Sequence, residues 1–333
     1  MISIICPIYN EERYINKCIE SILSQDYPHE DLDVLFVDGM SNDKTREIIV
    51  DYIEKYPFIR LIDNPERIVP YAMNRGIKAA IGDIIIRLDA HAVYPSNYFS
   101  CLVFYLRKLN ADNVGAVCRT LPAKNTLKCK AIAEALSSSF GMGNSYFRIG
   151  VNEIREVDTV PFGCYKRDVF KRIGYYDYEL VRNQDDELNA RLKKKGGKIF
   201  LLPNLVVDYF ARDGILKTSK MFFQYGLYKP LVNKKIGSPT TIRQFFPVFF
   251  VLGLVIGLPL SLFFDPIMYC YVSILTLYLF LALMSSLKSS LNILQVFYQI
   301  LTCFIIHISY GFGYLKGIYN IIFKRQFNVK INR

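Results

Sequence analysis

Two side chains that could bind a metal ion, those of Asp89 and His91, stand one residue apart after the apolar stretch IIIRL (84–88). A β-branched run of this kind is typical of a buried strand, so both side chains can point to one place at its end. Carboxylate and imidazole groups are ligands of divalent cations. The spacing therefore predicts a cation site at the end of a strand, although two polar residues of an ordinary loop would show the same pattern.

The chain before Asp89 alternates between strands and helices, and these elements must position the pair. We predict strands at SIICPIY (3–9), VLFVD (34–38), IRLID (59–63) and DIIIRLD (83–89). Amphipathic helices follow the first three strands, with Asn10 as a candidate cap of the first helix and Ser41 or Asn42 as a candidate cap of the second. This order predicts an α/β fold with a mostly parallel sheet and helices on both faces.

Four polar residues stand at the carboxyl ends of these predicted strands: Tyr9, Asn10, Asp38 and Asp89. Ligands of open α/β sheets bind beyond the carboxyl ends of the strands. Each residue by itself could be a helix cap or a turn residue. Because all four fall at the same edge of the sheet, the sequence predicts a ligand site there.

The following part of the chain has a less regular pattern. We predict strands at 114–120, 157–167, 198–203 and 206–211, and helices at 185–197 and 215–231. Residues 137–152 are rich in Ser, Gly and Asn, which predicts a mobile loop. The helix at 215–231 is basic and amphipathic, which suits a membrane surface.

The composition changes near residue 240. Residues 244–287 contain no Lys, Arg or Glu and one Asp. We therefore predict a catalytic or binding domain at 1–240 and a membrane region at 241–333, with apolar segments at 245–264, 267–284 and 291–315. Three crossings would place the basic tail FKRQFNVKINR (323–333) on the far side, against the positive-inside rule. One segment could instead be re-entrant or interfacial, so the number of crossings stays open.

The net charge is +11, and +6 of it lies from residue 243 onward. The front part is only mildly basic and has no Arg-rich stripe, which argues against binding of nucleic acid. A basic tail fits the anionic cytoplasmic face of a membrane. The eight cysteines form no C-x-x-C pair, and the N-terminal stretch has no basic region before its apolar run. Both features predict a front domain that stays reduced and in the cytoplasm.

Four motifs, in order along the chain, resemble glycosyltransferase family 2. They are CPIYNEERYI (6–15), FVDGMSNDKT (36–45), the stretch NPERIVPYAMNRGIKAAIGDIIIRLDAH (64–91), and RNQDDELNARLKKKGG (182–197). The stretches IRLDAHA (86–92) and VDTVPFGCYKRDVF (157–170) resemble the succinoglycan-biosynthesis type of this family. The resemblance covers about residues 2 to 230. It implies the nucleotide-sugar transferase fold called GT-A, followed by C-terminal membrane helices.

The resemblance also implies roles for individual residues. Those implied for nucleotide binding are Pro7, Tyr9, Glu11, Asp38, Arg67 and Asp89. Asp38 matches the aspartate that accepts a hydrogen bond from the base; a carboxylate suits the imide N–H of uracil, which favours a UDP-sugar. Asp89 and His91 match the metal-binding D-x-D, with His91 in place of the second Asp. Because imidazole is a better ligand for Mn²⁺ than for Mg²⁺, we expect a divalent cation and favour Mn²⁺.

Asp185 matches the catalytic base of the family, which accepts the proton of the attacking hydroxyl group. Gln184 replaces the Glu that precedes this base in the family, and Gln184 and Asp186 are expected on the acceptor side. Without the resemblance, QDDE (184–187) would be interpreted as an acidic helix start that opposes the helix dipole. Arg191 is expected to be structural, as the i,i+4 partner of Glu187.

The expected function is an inverting, metal-dependent glycosyltransferase of the cytoplasmic (inner) membrane. Its front domain would face the cytoplasm and transfer a sugar to a membrane-held, lipid-linked saccharide in exopolysaccharide or other cell-surface glycan synthesis. A processive polysaccharide synthase is an alternative, although the Q-x-x-R-W motif of such enzymes is incomplete near Gln224 and the chain has no Trp. A non-catalytic, nucleotide-binding membrane scaffold is a second alternative.

Overall fold

The computed structural model describes residues 1–327. The chain packs as two units: residues 1–119 with 150–209, and residues 120–149 with the chain from Phe210 onward. Composition predicts a boundary near residue 240, whereas the packing groups 120–149 and 210–240 with the apolar helices. The two segments leave the sheet of the first unit and bury their apolar faces among the C-terminal helices.

The first unit begins with four parallel strands in the order β3-β2-β1-β4. They are β1 (Ile2–Ile8), β2 (Leu32–Asp38), β3 (Ile59–Asp63) and β4 (Ile84–Arg87). The residues of β1, β2 and β4 are all buried, as expected for inner strands of a parallel sheet, whereas β3 is mostly half-buried. Helices α1 (Ile15–Leu23), α2 (Thr45–Ile53) and α3 (Val69–Ala79) connect them. Ile8 lies opposite Asp38, and Asp38 opposite Asp63, so the carboxyl ends of three strands are level.

The same sheet continues with strands that pair antiparallel, which makes the whole sheet mixed. These are β5 (Ala92–Val93), β6 (Asn113–Leu121), β7 (Arg155–Glu156), β8 (Cys164–Lys166) and β9 (Ile199–Phe210). β4 is followed by β8, β6, β9 and β5, and β7 pairs with β9. Helices α4 (Tyr98–Lys108), α8 (Asp168–Ile173) and α9 (Gln184–Lys194) complete the unit.

Three sequence predictions differ from the structure. Asn10 caps no helix, since α1 begins at Ile15, and neither Ser41 nor Asn42 caps α2. The strands predicted at 198–203 and 206–211 are one strand, β9. Its ends pair with different neighbours, β7 at 200–201 and β5 at 208–209, which leaves Pro203 between those two pairings. The strand predicted at 157–167 is confined to Cys164–Lys166.

The second unit is helical. It contains α5 (Leu127–Ser137), α6 (Ser139–Met142), α7 (Tyr146–Ile149), α10 (Ile215–Ile236), α11 (Phe246–Ser261), α12 (Asp265–Leu287) and α13 (Ile293–Ile322). Residues 137–152, predicted as a loop, therefore hold the two short helices α6 and α7. A core shared by α5, α10 and α13 includes Leu136, Phe222 and Ile306.

Three helical segments are long and apolar enough to cross a membrane: Arg243–Ser261, Asp265–Leu287 and Ile293–Ile322. They coincide with the three apolar segments of the sequence. His307 Nδ1 lies 2.9 Å from the Tyr278 hydroxyl oxygen, which links α13 to α12. Of the basic tail, Lys330 and Arg333 lie outside the described residues. None of the eight cysteines, all of which lie within residues 1–327, forms a disulfide.

Candidate active site

The loops after β1 and β2 are tied together by hydrogen bonds. The Asn10 and Glu11 amides donate to the hydroxyl oxygens of Ser41 and Thr45, at 2.8 and 2.7 Å. In return, the Asn42 amide donates to Asn10 Oδ1 at 3.0 Å. Asn10 has a φ of 55°, a left-handed conformation that Asn tolerates better than most residues. Asn10, Ser41 and Asn42, which the sequence suggests as helix caps, thus connect the carboxyl ends of β1 and β2.

Asp38, at the end of β2, is fully buried and already has several donors. Its carboxylate accepts from the Ser41 amide and hydroxyl and from Arg46 Nη1, the last at 2.6 Å. Arg46 also pairs with Asp63 at 2.8 Å. The hydrogen bond to Asp38 is the largest cause of a raised pKa of Arg46. Because the Asp38 side chain has no exposed surface, a nucleotide base could reach it only if Ser41 or Arg46 moved.

Tyr9 and Arg67 lie together at the same rim. The Arg67 guanidinium carbon is 5.8 Å from the centre of the Tyr9 ring, within the range of a cation–π contact. The ring also packs on Gly39, where an added Cβ would lie 3.2 Å from a ring carbon. Pro7, by contrast, is buried inside β1. The structure therefore brings Tyr9 and Arg67 to an accessible position and leaves Pro7 as part of the core.

Asp89 and His91 face each other after β4, together with Glu11. His91 Nδ1 is 3.1 Å from Asp89 Oδ1 and 3.5 Å from Glu11 Oε1. Tyr94 holds the turn, because its hydroxyl accepts from the Asp89 amide at 2.7 Å. Two neighbouring ligands of an octahedral cation, with bonds of about 2.1 Å at right angles, lie roughly 3 Å apart. The separation of the Asp89 and His91 atoms therefore fits two ligands of one cation.

Within residues 1–327, no group of three or more His, Cys, Asp or Glu side chains is arranged to hold a metal ion. Asp89 and His91 are therefore the two side chains that we consider as ligands at this position. A cation bound there would complete its coordination with oxygens from water or a bound phosphate, as Mg²⁺ commonly does.

Asp185 forms an ion pair with Arg87 of β4, two residues before Asp89. Both side chains are largely buried, with exposed fractions of 28% and 10%. Burial is the largest single effect and lowers the pKa of Arg87, but the charges of Asp185 and Asp89, the Tyr176 hydroxyl and the hydrogen bond to Asp185 together raise the pKa above its usual value. Arg87 therefore stays charged, and its buried Nε has no hydrogen-bond partner. This pair joins the start of α9 to the strand that carries Asp89.

The position of α9 is set by other buried polar contacts. Asn189 is fully buried, and its amide oxygen accepts from Asn113 at 2.9 Å and from the Tyr165 hydroxyl at 3.1 Å. Arg191 pairs with Glu187, as the i,i+4 spacing predicts, and also donates to the Tyr175 carbonyl at 2.7 Å. Helix α9, and with it Asp185, is therefore held by fixed polar contacts.

Comparison with known proteins identifies the family and the fold of this chain. The family model described as "Glycosyl transferase family 2" matches residues 3–174. The chain belongs to glycosyltransferase family 2. The match covers the strand ends that carry Tyr9, Asp38, Asp89 and His91, and ends before α9.

Two curated relatives of this glycosyltransferase align with much of the chain. A Methanococcus voltae protein named dolichyl N-acetyl-alpha-D-glucosaminyl phosphate 3-beta-D-2,3-diacetamido-2,3-dideoxy-beta-D-glucuronosyltransferase is 31% identical over 95% of this chain and 98% of its own length. The succinoglycan biosynthesis protein ExoA of Rhizobium meliloti is 30% identical over 74% of each chain. The resemblance to the succinoglycan type, predicted from the motifs, is confirmed.

Two solved structures share the fold of this glycosyltransferase. A mannosyltransferase from Pyrobaculum calidifontis, in complex with GDP-Man and Mn²⁺, has a TM-score of 0.60 at 17% identity, over 96% of this chain and 87% of its own. TarS 1-349 from S. aureus, in complex with UDP-GlcNAc, has a TM-score of 0.53 at 16% identity, over 99% and 94% of the two chains. The GT-A fold is therefore confirmed.

Sequence reasoning missed two residues of the glycosyltransferase site, Arg87 and Arg46. Arg87 carried a usable signal, because a charged residue inside a predicted buried strand must find a partner. Arg46 carried no such signal, since it lies on a helix surface where an exposed arginine is ordinary. Its two carboxylate partners, Asp38 and Asp63, become visible only in the folded chain.

Proposed function

We propose that this glycosyltransferase moves a sugar from a nucleoside diphosphate sugar, with inversion, to a lipid-linked saccharide at the cytoplasmic face of a membrane. One observation carries the proposal: the ion pair between Arg87 and Asp185 joins a candidate base to the strand that ends in Asp89 and His91. A base and a candidate leaving-group site thus lie at one end of the sheet, as a displacement reaction requires.

Asp185 is proposed as the general base. Arg87 donates to its Oδ1, and a carboxylate has about four acceptor positions. Asp185 therefore keeps acceptor positions for the hydroxyl group of an incoming saccharide, whose proton it would accept as the oxygen attacks the anomeric carbon. A single displacement from the face opposite the leaving group inverts the configuration. Gln184 and Asp186, beside this base, are proposed on the acceptor side.

Asp89 and His91 are proposed to hold a divalent cation, with Mn²⁺ favoured over Mg²⁺. When bound, the cation would stabilise negative charge on the departing diphosphate. Glu11 Oε1 lies 3.5 Å from the same His91 Nδ1, so the Glu11 carboxylate would be close to a cation bound there. The Mn²⁺ in the P. calidifontis mannosyltransferase supports a cation requirement in this fold.

The Tyr9 ring and the Arg67 guanidinium are proposed to bind the nucleotide. An aromatic face can stack on a base, and a guanidinium can donate to carbonyl or phosphate oxygens. Asp38 is proposed to contact the imide of uracil after Ser41 or Arg46 shifts, which makes UDP the favoured nucleotide. The S. aureus structure contains UDP-GlcNAc and the P. calidifontis structure contains GDP-Man, so a donor assay must include both nucleotides.

A lipid-linked acceptor is supported by the apolar helices and by the relatives. The name of the M. voltae protein specifies a dolichyl-linked sugar phosphate as its acceptor, and ExoA is named for succinoglycan biosynthesis. Three helices of this chain are apolar enough to cross a membrane. An enzyme held at the bilayer would meet a lipid-linked saccharide at its headgroup, so we propose that class of acceptor.

The test is a transfer assay with membranes that contain this protein, a lipid-linked saccharide extract, Mn²⁺, and a panel of UDP-sugars and GDP-mannose. We expect one donor to be used, activity to be lost with EDTA, and Asp185→Asn to be inactive. Asp168→Asn is the matched control, because Asp168 also lies in the first turn of a helix and is 61% exposed. Nucleotide binding without transfer would favour a scaffold, and products lengthened by many sugars would favour a processive synthase.

A further inference from the structure

The buried carboxylate of Asp38, at the end of β2, accepts hydrogen bonds from Ser41 and Arg46. The Ser41 amide lies 3.2 Å from Oδ1 and 3.0 Å from Oδ2, and the Ser41 hydroxyl donates to Oδ1 at 2.5 Å. Arg46 Nη1 donates to Oδ2 at 2.6 Å. A carboxylate has about four acceptor positions, and this side chain has no exposed surface. An N–H group of a ligand can therefore reach Asp38 only after one of these donors moves.

Ser41 is the more firmly held of the two residues. It binds Asp38 through both its amide and its hydroxyl group, and its hydroxyl oxygen also accepts from the Asn10 amide at 2.8 Å. The next residue, Asn42, donates from its amide to Asn10 Oδ1 at 3.0 Å. Movement of Ser41 would thus break the hydrogen bonds that connect the carboxyl ends of β1 and β2.

Arg46 can move without any change in the backbone. It lies in the first turn of α2, which begins at Thr45. Thr45 Oγ1 accepts from the Glu11 amide at 2.7 Å, which fixes the start of the helix. The Arg46 side chain is 34% exposed and reaches the surface. Rotation about its side-chain bonds is therefore enough to separate Nη1 from Asp38.

Asp63 provides a second partner for the same guanidinium. It lies opposite Asp38 in the parallel pairing of β2 and β3. Its carboxylate is 2.8 Å from Arg46 Nη2, and its side chain is 59% exposed. One arginine thus bridges a buried and an exposed carboxylate. Because a guanidinium can bind one carboxylate through two nitrogens, Arg46 can leave Asp38 and pair more fully with Asp63.

The acceptor position that Arg46 would leave suits the imide of uracil. Ser41 would keep its hydroxyl bond to Oδ1, so Asp38 would offer Oδ2 to a base. The imide of uracil has a lone N–H group between carbonyl groups, and one carboxylate oxygen is enough to bind it. Guanine has N–H groups side by side, which require both oxygens of a carboxylate. The arrangement therefore favours uracil over guanine.

We propose that Arg46 closes the base site when no nucleotide is bound, and that the imide N–H of uracil replaces it on Asp38 while Arg46 stays paired with Asp63. Arg46 thus determines nucleotide affinity, and Asp63 affects it without contacting the nucleotide. The inference rests on the nucleotide site of the proposed function, but not on sugar transfer. Because only the open form binds the base, closure lowers the apparent affinity for UDP.

The test measures the dissociation constant of UDP by calorimetry, with the full-length protein in detergent and Mn²⁺ present. Arg46→Met removes the guanidinium and keeps an unbranched side chain. We expect the dissociation constant to fall about fivefold, because the site no longer has to open. If Arg46 instead donates to the bound nucleotide, the constant rises. Either a rise or an unchanged constant would overturn the proposal.

Arg60→Met is the matched control. Arg60 is 40% exposed and pairs at 2.5 Å with Asp33, which is 2% exposed and lies near the opposite end of β2. The two variants thus remove the same type of ion pair from the two ends of one strand. We expect Arg60→Met to lower the thermal stability but to change the UDP dissociation constant less than about twofold. An equal fall in both variants would overturn the proposal.

Asp63→Asn tests the second partner and leaves the ion pair between Arg46 and Asp38 in place. The open form loses more than the closed form, because Arg46 pairs more fully with Asp63 there. The UDP dissociation constant should therefore rise about threefold. Adding Asp63→Asn to Arg46→Met should have no further effect, since no guanidinium remains. An unchanged or lower constant in the single variant, or a threefold rise that persists in the double variant, would overturn the proposal.

Transfer assays on the same proteins separate this inference from the proposed function. The expected changes in UDP binding without any sugar transfer would refute catalysis and leave the movement of Arg46 supported. Transfer from a UDP-sugar with unchanged UDP binding in Arg46→Met would refute the movement and leave catalysis supported. Tighter binding of GDP but not of UDP in Arg46→Met would overturn uracil as the base.

Discussion

At the scale of single residues, the ion pair between Arg87 and Asp185 affects how variants of the candidate base must be interpreted. Arg87 is almost fully buried, and Asp185 is its charged partner. Removing one member of such a pair leaves an uncompensated charge in a low-dielectric environment. A loss of activity in an Asp185 variant would therefore combine a chemical effect with a folding effect, and the two must be separated.

We predict that Asp185→Asn reduces transfer at least a hundredfold, because the base that accepts the hydroxyl proton is lost. The same change should lower the free energy of unfolding by about 3 kcal/mol, since Arg87 loses its charged partner. Thermal unfolding of the purified protein and initial transfer rates measure the two effects. Asp168→Asn should stay within about 0.5 kcal/mol of the wild type. Equal stability of the two variants would show that the ion pair contributes nothing.

The double variant Arg87→Met with Asp185→Asn separates stability from chemistry. Replacing both charges removes the unpaired guanidinium, so stability should recover by about 2 kcal/mol relative to Asp185→Asn alone. Transfer should stay lost, because no base is restored. Thermal unfolding and initial rates again provide the readouts. Recovery of transfer in the double variant would exclude Asp185 as the base.

His91→Asp tests the cation site, because it converts the donor pair to two carboxylates. Carboxylates suit Mg²⁺ better than imidazole does, so the ratio of the Mg²⁺-supported to the Mn²⁺-supported rate should rise by about tenfold. His91→Ala is the control, and it should raise the concentration of either metal needed for half-maximal rate. An unchanged metal ratio in His91→Asp would mean that His91 does not bind the metal.

At the scale of elements, glycines allow α13 and α10 to pack backbone against backbone. An added Cβ at Gly313 would lie 2.2 Å from the Phe223 carbonyl oxygen, and one at Gly317 would lie 2.3 Å from that of Leu227. Neither oxygen belongs to a flexible side chain, so the helices would have to separate. These contacts hold α10 and α13 together in the second unit.

Gly317→Ala is therefore expected to lower the free energy of unfolding by about 2 kcal/mol, within the range of overpacked cores. Gly253→Ala on α11 is the matched control, because no atom lies within 4 Å of an added Cβ there. This control should be neutral or slightly stabilising, since Ala favours a helix over Gly by about 1 kcal/mol. Thermal unfolding in detergent gives both values. Similar behaviour of the two variants would contradict the close helix contact.

At the scale of the whole molecule, the chain passes between the two units three times, near residues 120, 150 and 210. Helices α5 and α10 belong to the second unit although they precede the apolar segments in the sequence. Their buried residues Leu136, Met221 and Phe222 pack with Cys303 and Ile306 of α13. A catalytic fragment cannot be released by cutting before the apolar segments without exposing this core.

A protein truncated after Thr240 is accordingly expected to aggregate, because the apolar faces of α5 and α10 lose their cover. Size-exclusion chromatography of the truncated and the full-length protein in the same detergent provides the comparison. If the truncated protein is monodisperse and binds nucleotide, residues 1–240 form a separate domain, as composition predicts.

Local sequence patterns predicted the strands β1 to β4, the helix that begins beside Asp185 and the three apolar helices. Each depends on a local pattern: a β-branched run, a helical periodicity or a long stretch without charges. Tyr9, Asp38 and Asp89 could be assigned to one edge because parallel strands align their carboxyl ends. The i,i+4 pair of Glu187 and Arg191 was predictable for the same local reason.

Contacts between groups that are far apart in the chain could not be predicted from local patterns. Arg87 and Asp185 are 98 residues apart in the chain, and no local pattern links them. Asp38 is shielded by Ser41 and by Arg46 in the first turn of α2, which strand alternation cannot foresee. Hydropathy predicts α13 as a candidate membrane span, but it does not predict that Ser309 on its buried face contacts Ser219 of α10. Composition records how apolar a segment is, whereas its surroundings depend on which other segments pack against it.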